Sequence, residues 1–89
     1  MHSTTQDRRA RITALIAEIA EVEENTLNNE ARLREDLGMD SLSSMELLST
    51  LSEELKLDIQ MEDAMDIRTV DDACAFIESQ YVSQHAELV

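Results

Sequence analysis

A chain of 89 residues has room for one small domain, and with one glycine and no proline its composition favours helix over a turn-rich β fold. Twenty acidic against seven basic residues give a net charge of −13, which repels nucleic acid and anionic membranes. One cysteine excludes an internal disulfide, and no stretch resembles a signal peptide or a membrane span, so we expect a monomeric, cytoplasmic protein with residues 1–89 as one domain.

The first predicted element is a helix over about residues 6–23, because apolar side chains recur there every three or four positions. A serine or threonine among positions 3–5 can cap its start. The stretch ENTLNNEARLRED then breaks the period, and its asparagines are typical of a long loop. Three leucines of this region are expected to hold the loop against the core: Leu27, Leu33 and Leu37.

Three further segments complete the prediction. The second helix begins near Asp40 and ends at about 55–57, and MEDAMD has room for one or two turns. The last helix runs from Thr69, a good cap, to about Tyr81. The expected fold is therefore all-α, a small four-helix bundle of three main helices and a short third one. The ends, about 1–5 and 82–89, are expected to be flexible.

The second helix carries two stripes when its residues are placed 100° apart. One side holds the leucines of a sufficient core stripe: Leu47, Leu48, Leu51 and Leu55. The other side is mixed apolar and acidic: Leu42, Met45, Glu46, Ser49, Ser52 and Glu53. A fold does not need this second stripe, which indicates a surface for partner proteins. Alternatively, Leu42 and Met45 simply flank the core, since single exposed apolar residues are common.

Ser41 occupies the first turn of the same helix, where free backbone N–H groups and the helix dipole favour negative charge. A phosphodiester on its hydroxyl would be well placed there. Asp40 can cap the helix, and Gly38 allows a tight turn before it. For the bare tripeptide Asp-Ser-Leu, a capping role alone is the better explanation of both polar residues, because the tripeptide is common by chance.

A longer sequence match decides between capping alone and covalent modification of Ser41. LREDLGMDSLSSMELLSTLSEEL, followed by LDIQMEDAMDIRTVDDACAFI, resembles the acyl carrier protein family from Leu33 to Ile77. The shared pattern is a leucine-rich loop, Gly-x-Asp-Ser-Leu, an acidic helix, a short acidic third helix and Thr-Val opening the last. The resemblance implies a non-enzymatic carrier with 4′-phosphopantetheine on Ser41, attached from coenzyme A by a phosphopantetheinyl transferase, and acyl groups held as thioesters on the arm.

The resemblance also implies partners. Residues at the positions of Asp40, Leu42, Met45, Glu46 and Glu53 meet the transferase and the acyl-transferring or synthase enzymes, whose docking surfaces are basic. Ser49 belongs to the same stripe and is a further candidate contact.

The sequence departs from the pattern of fatty-acid carriers at several positions. Members of that group often have acids where Ser43 and Ser52 stand, a large apolar residue at Ser49, glycine at Lys56 and proline at Gln60. We therefore expect a polyketide or other specialised pathway. The alternatives are a housekeeping fatty-acid or peptidyl carrier, and an unmodified acidic helical interaction module.

Catalysis and metal binding find no support in the sequence. Ser41 lacks the glycines of a hydrolase elbow, and both histidines lie near the chain ends. An EF-hand register starting at Asp36 places Gly38 third instead of sixth, so calcium ligation of that kind fails. Cys74 lies on an apolar stripe and is expected in the core.

Overall fold

A computed structural model describes residues 4–85, apart from the side chains of Met61 and Ala64. It contains three α-helices, α1 (Thr5–Ala20), α2 (Ser41–Leu55) and α3 (Val70–His85), and two 3₁₀ helices, Glu24–Thr26 and Met61–Asp66. Within this range there is no strand, and an isolated antiparallel bridge joins Arg32 to Thr69. No helix in the described range has the length and apolar composition needed to cross a bilayer.

The all-α prediction is confirmed, with a correction to the number of α-helices. The short third helix expected from MEDAMD is a 3₁₀ helix, so the bundle has three α-helices and not four. Six residues close few i→i+4 hydrogen bonds for the cost of nucleating an α-helix, and the tighter 3₁₀ turn suits such short pieces. The expectation of flexible ends lies partly outside the described residues, which leave out 1–3 and 86–89.

Side-chain caps fix the starts of α1 and α3. The Thr4 hydroxyl accepts a hydrogen bond from the Asp7 backbone N–H at 3.0 Å, which makes Thr4 the cap of α1. At α3, the Thr69 hydroxyl accepts from the Asp72 N–H at 3.0 Å, and Asp72 accepts from the Thr69 N–H at 3.2 Å. This reciprocal pair satisfies two N–H groups that the helix leaves open. The predicted role of Thr69 is therefore confirmed.

The C-terminal ends of α1 and α3 differ from the prediction. Helix α1 stops at Ala20 because Glu21 adopts the left-handed conformation with φ of 60°, so Val22 leaves the buried stripe. Helix α3 continues four residues further than predicted. Gln84 exchanges two hydrogen bonds with the backbone of Asp58, at 2.7 and 2.9 Å, and the His85 ring lies 3.2 Å from the Leu55 carbonyl. These contacts with the chain after α2 give the end of α3 tertiary support.

Helix α1 packs against both α2 and α3, and the core lies between them. The four leucines predicted for the core face of α2 are each at most 5% exposed. Leu33 is buried, and Leu27 and Leu37 pack partly buried against the same cluster, as the loop prediction required. Cys74 is buried, and burial raises the pKa of its thiol. Apart from Ala17, the buried apolar residues form one cluster: Ile12, Leu15, Ile16, Ala31, Leu33, Met39, Leu47, Leu48, Leu51, Leu55, Leu57, Val70, Ala73, Cys74 and Ile77.

One ion pair between α1 and α3 is largely enclosed. The Arg8 guanidinium, 5% exposed, donates to both carboxylate oxygens of Glu78 at 2.8 and 2.6 Å. The same guanidinium lies 3.8 Å above the Tyr81 ring, which stacks on His85. The bidentate contact with Glu78 and the aromatic face of Tyr81 compensate the Arg8 cation for the hydration that it loses on burial. The hydrogen bonds from Arg8 lower the pKa of Glu78.

We expect Glu78→Gln to lower the free energy of unfolding at pH 7 by about 1–3 kcal/mol, because Arg8 then faces a neutral amide. The pKa of Glu78 is depressed in the folded state, so its contribution is complete above the ordinary glutamate value of 4.5 and is lost as the pH falls through the lower folded-state value. Urea unfolding of both proteins from pH 7 downwards measures this. A stability difference that stays constant into strong acid would contradict the assignment.

Candidate functional site

Ser41 is the first residue of α2, and its side chain is exposed. Asp40 caps the helix, because its carboxylate accepts a hydrogen bond from the Ser43 backbone N–H at 2.9 Å. That bond lowers the pKa of Asp40, so the carboxylate is ionised at neutral pH. No residue within the described range 4–85 forms a hydrogen bond with the Ser41 hydroxyl. The hydroxyl is therefore open to solvent and to a reaction partner.

A compact turn leads into this helix. Backbone hydrogen bonds from Asp36 and Leu37 to the Arg32 carbonyl, at 2.9 and 3.1 Å, coil the chain, and the Met39 N–H closes the turn on the Leu33 carbonyl at 2.8 Å. The Met39 side chain, 2% exposed, enters the core. Because Met39 is buried two residues before Ser41, the serine has a fixed place at the surface.

Gly38 is required in this turn by its backbone conformation. Its φ is +70°, a region that side chains with Cβ atoms enter at a cost. The tight turn expected at Gly38 is present, and its left-handed φ is what favours glycine. In the structure a Cβ at this position would meet nothing within 4 Å, so conformation and not space selects glycine.

The turn is held to the segment before α3 by backbone pairing. The Leu33 N–H donates to the Arg68 carbonyl at 2.8 Å, and the Val70 N–H donates to the Ala31 carbonyl at 3.0 Å. A third bond joins the Asp71 N–H to the Asn29 carbonyl at 2.9 Å. The loop between α1 and α2 and the start of α3 therefore form one support on which the N-terminus of α2 rests.

A cleft of about 670 Å³ opens beside Ser41. Three segments line it: residues 32–35, the chain around the start of α2 (39–41, 44 and 45), and residues 65, 67 and 68. Met39 and Leu33 form a buried apolar floor, whereas Met65 is 80% exposed at the edge. The lining is thus apolar at the floor and polar or charged at the rim, with Ser41 at the boundary. Sequence patterns did not predict that Ile67 and Arg68 would line this cleft.

The outer face of α2 is exposed along its length. All six candidate contact residues are exposed, with Leu42 at 73% and Met45 at 45%: Asp40, Leu42, Met45, Glu46, Ser49 and Glu53. Met45 also lines the cleft, so this face is continuous with the opening beside Ser41. Ser52, which the helical projection placed on the same stripe, is half-buried and donates a short hydrogen bond to the Leu57 carbonyl. It therefore serves the C-terminus of α2.

Comparison with known proteins identifies the family. A family model described as "Phosphopantetheine attachment site" matches residues 10–77 of the 89. The chain belongs to this family. Among solved structures, the acyl carrier protein from Enterococcus faecalis, described for its high thermal stability, is similar with a TM-score of 0.74 and 28% identity. The match covers 86% of this chain and 98% of the Enterococcus protein.

The predicted membership of the acyl carrier family is therefore confirmed, and so are its cofactor and the non-enzymatic role. This carrier domain takes 4′-phosphopantetheine as a covalent cofactor and is not an enzyme. The residues around the start of α2 suit such a group, since an exposed hydroxyl lies at a helix N-terminus beside a cleft large enough for part of the arm. Among residues 4–85, no three His, Cys, Asp or Glu side chains converge as a metal site.

The conformation of Gly38 leads to a prediction about the turn before α2. Gly38→Ala should lower the free energy of unfolding by about 1–2 kcal/mol, because alanine pays to enter the left-handed region. Gly38→Asn should cost less, since asparagine visits that region more readily and the space around it is open. Thermal and urea unfolding of the three proteins give the comparison. Equal losses for alanine and asparagine would show that φ does not set the preference.

Proposed function

We propose that Ser41 carries the 4′-phosphopantetheine arm and that the chain presents acyl groups, as thioesters on the arm's thiol, to biosynthetic enzymes. The observation that carries this proposal is the position of Ser41: exposed, first in α2, open to the cleft and inside the matched residues 10–77. The proposed carrier is a monomer that uses residues 1–89 as a single domain, and its cytoplasmic location stays a prediction.

The chain supplies the nucleophile for attachment and leaves the base to its partner. Ser41 Oγ forms the new bond to phosphorus, 3′,5′-adenosine diphosphate leaves from coenzyme A, and the hydroxyl proton goes to a base. Asp40 is ionised but accepts the cap hydrogen bond, and His85 is engaged at the far end of α3. No described residue is arranged as a base for Ser41, so a phosphopantetheinyl transferase supplies it.

The outer face of α2 is the proposed docking surface for that transferase and for synthase enzymes. Leu42 and Met45 offer exposed apolar contacts next to Ser41, while Glu46 and Glu53 extend the surface with negative charge. Between Glu35 and Asp72 the chain has twelve acids and two bases. A basic partner surface complements this segment and accelerates encounter by electrostatic attraction.

The proposed pathway is a polyketide or other specialised one. The support is the set of serines at positions 43, 49 and 52, where fatty-acid carriers often have acidic or large apolar residues. Acyl transfer from the loaded carrier to ketosynthases of both kinds distinguishes the pathways. Faster transfer to a fatty-acid ketosynthase than to polyketide ketosynthases would overturn this part of the proposal.

The first prediction of the proposal concerns mass. Incubation with coenzyme A, magnesium ion and a broad-specificity transferase should add one phosphopantetheine, located on the peptide that contains Ser41. Ser41→Ala should fold and stay unmodified, because an exposed side chain contributes little to packing. Intact-mass and peptide-mass spectrometry decide. Modification of the alanine variant, or no modification of the wild type by several transferases, would favour an unmodified interaction module.

The second prediction tests the docking surface by charge reversal. Glu46→Lys and Glu53→Lys should slow association with the transferase and weaken its dependence on salt, because both remove attraction to a basic partner. Glu23→Lys, an exposed acid outside α2, is the matched control and should bind like the wild type. All three should change stability by about 0.5 kcal/mol or less. Stopped-flow association at several salt concentrations and thermal melts provide the measurements. Equal association rates for all four proteins would remove the α2 face from the docking surface.

A further inference from the structure

Four of the six arginines form ion pairs in this acidic protein. The pairs are Arg8–Glu78 at 2.6 Å, Arg9–Asp71 at 3.1 Å, Arg11–Glu54 at 2.6 Å and Arg32–Asp36 at 3.4 Å. Arg34 and Arg68 form no ion pair with any residue in the described range 4–85. Among twenty acids and seven bases, these two arginines are thus positive groups that no acid of the described residues neutralises by an ion pair.

Both unpaired arginines lie at the same place, the rim of the cleft that Ser41 shares. Arg32 lines the cleft as well, paired with Asp36. The acids among the lining residues are Glu35 and Asp40, and the Asp40 carboxylate is directed to the backbone of α2 by its cap hydrogen bond. The cleft therefore concentrates three of the chain's seven basic residues in a protein whose net charge is −13.

No side chain within residues 4–85 forms an ion pair with either guanidinium group, which leaves both available to an anion that arrives after folding. A phosphodiester attached to Ser41 Oγ begins one bond from that oxygen and is confined to the mouth of the cleft. Arginine offers a planar set of N–H donors that matches phosphate oxygens, and it stays charged at any physiological pH. Position, charge and donor geometry all match one occupant, the phosphodiester of the arm.

We propose that Arg34 and Arg68 bind the phosphodiester of the arm on Ser41 and direct the first part of the arm along the cleft. This inference rests on the proposed function, since it requires Ser41 to be modified. The apolar lining then stays available to the neutral part of the arm, with Met39 below and Met45 and Met65 at the sides. Loading adds a negative charge to an already anionic protein, yet here it meets two positive groups that have no ion-pair partner among residues 4–85.

The test compares the melting temperature before and after loading in variants that lose one or two positive charges. Arg34→Gln and Arg68→Gln alter the rim, and the double variant removes both unpaired groups. Lys56→Gln is the matched control, since Lys56 is exposed and follows the C-terminus of α2, at the opposite end from Ser41. Intact mass verifies loading in every sample, so the two proposals are judged separately.

Loading should raise the melting temperature of the wild type and of Lys56→Gln by about 2–4 °C, the effect of an exposed charge pair on a domain of this size. The rise should shrink in each single arginine variant and become a decrease in the double variant, where only repulsion from the acids remains. In 1 M salt the difference between wild type and double variant should vanish, because screening then acts within about 3 Å.

A second readout needs the wild type alone and covers the case in which a variant loads poorly. On loading, the arginine Nε–Hε signals of Arg34 and Arg68 should shift in the NMR spectrum, while that of Arg9 should not. Equal melting responses in all five loaded proteins, or unmoved Arg34 and Arg68 signals, would overturn the inference and leave the function intact. If the melting temperature or the arginine signals respond to a succinyl-loaded arm but not to the bare arm, the rim arginines bind a carboxylated cargo. That result would also overturn the inference. No gain in mass would overturn both proposals.

Discussion

The short backbone pairing between residues 31–33 and 68–70 is the constraint on which the functional end of the molecule depends. Two hydrogen bonds of 2.8 and 3.0 Å fix the long loop after α1 to the segment before α3. Helices alone would leave this loop free to vary, because α1, α2 and α3 meet through apolar packing that does not specify the loop path. With the loop fixed, the buried Met39 and the left-handed Gly38 bring the chain into α2 with one orientation. Ser41, the cleft and the rim arginines all take their positions from that arrangement.

Charge is divided unevenly over the helices. Arginines of α1 bind acids of α2 and α3, namely Arg11 with Glu54, Arg8 with Glu78 and Arg9 with Asp71. Most of the acid excess therefore stays unneutralised in the middle of the chain, on and after α2. A protein gains little stability from such a concentration of like charge and loses some through repulsion. The distribution is reasonable for a surface that meets a succession of basic partners and must release each of them, because exposed charges accelerate encounter more than they strengthen binding.

The sequence predicted those features that depend on local patterns. The two stripes of α2 follow from helical spacing, and the caps by Thr69 and Asp40 follow from side chains that accept backbone N–H bonds. Features that depend on distant contacts were missed. Helix α3 reaches His85 because Gln84 and His85 contact the chain after α2, which periodicity does not report. The 3₁₀ form of Met61–Asp66, the inward bond of Ser52 and the meeting of Arg34 with Arg68 across 34 positions likewise depend on tertiary packing. The stretch LRED was predicted to lie in the loop, but it did not indicate which arginines would lack an ion-pair partner.

The lining of the cleft comes mostly from a turn, a helix terminus and the end of a 3₁₀ segment. Two of its members, Leu33 and Met39, are buried in the core, and Ile67 packs partly buried against it. Substitutions at exposed lining positions such as Glu35 and Met65 change the size and polarity of the cleft while the three helices keep their contacts. Natural variation is free to alter the surroundings of the arm at these positions without first acquiring a stability reserve. The support under the N-terminus of α2 is less free to vary, because the backbone bonds of residues 31–33 and the floor residues hold both the fold and the cleft. Diversification of such carriers is thus expected to concentrate on these exposed positions and to spare Ser41 and the two rim arginines.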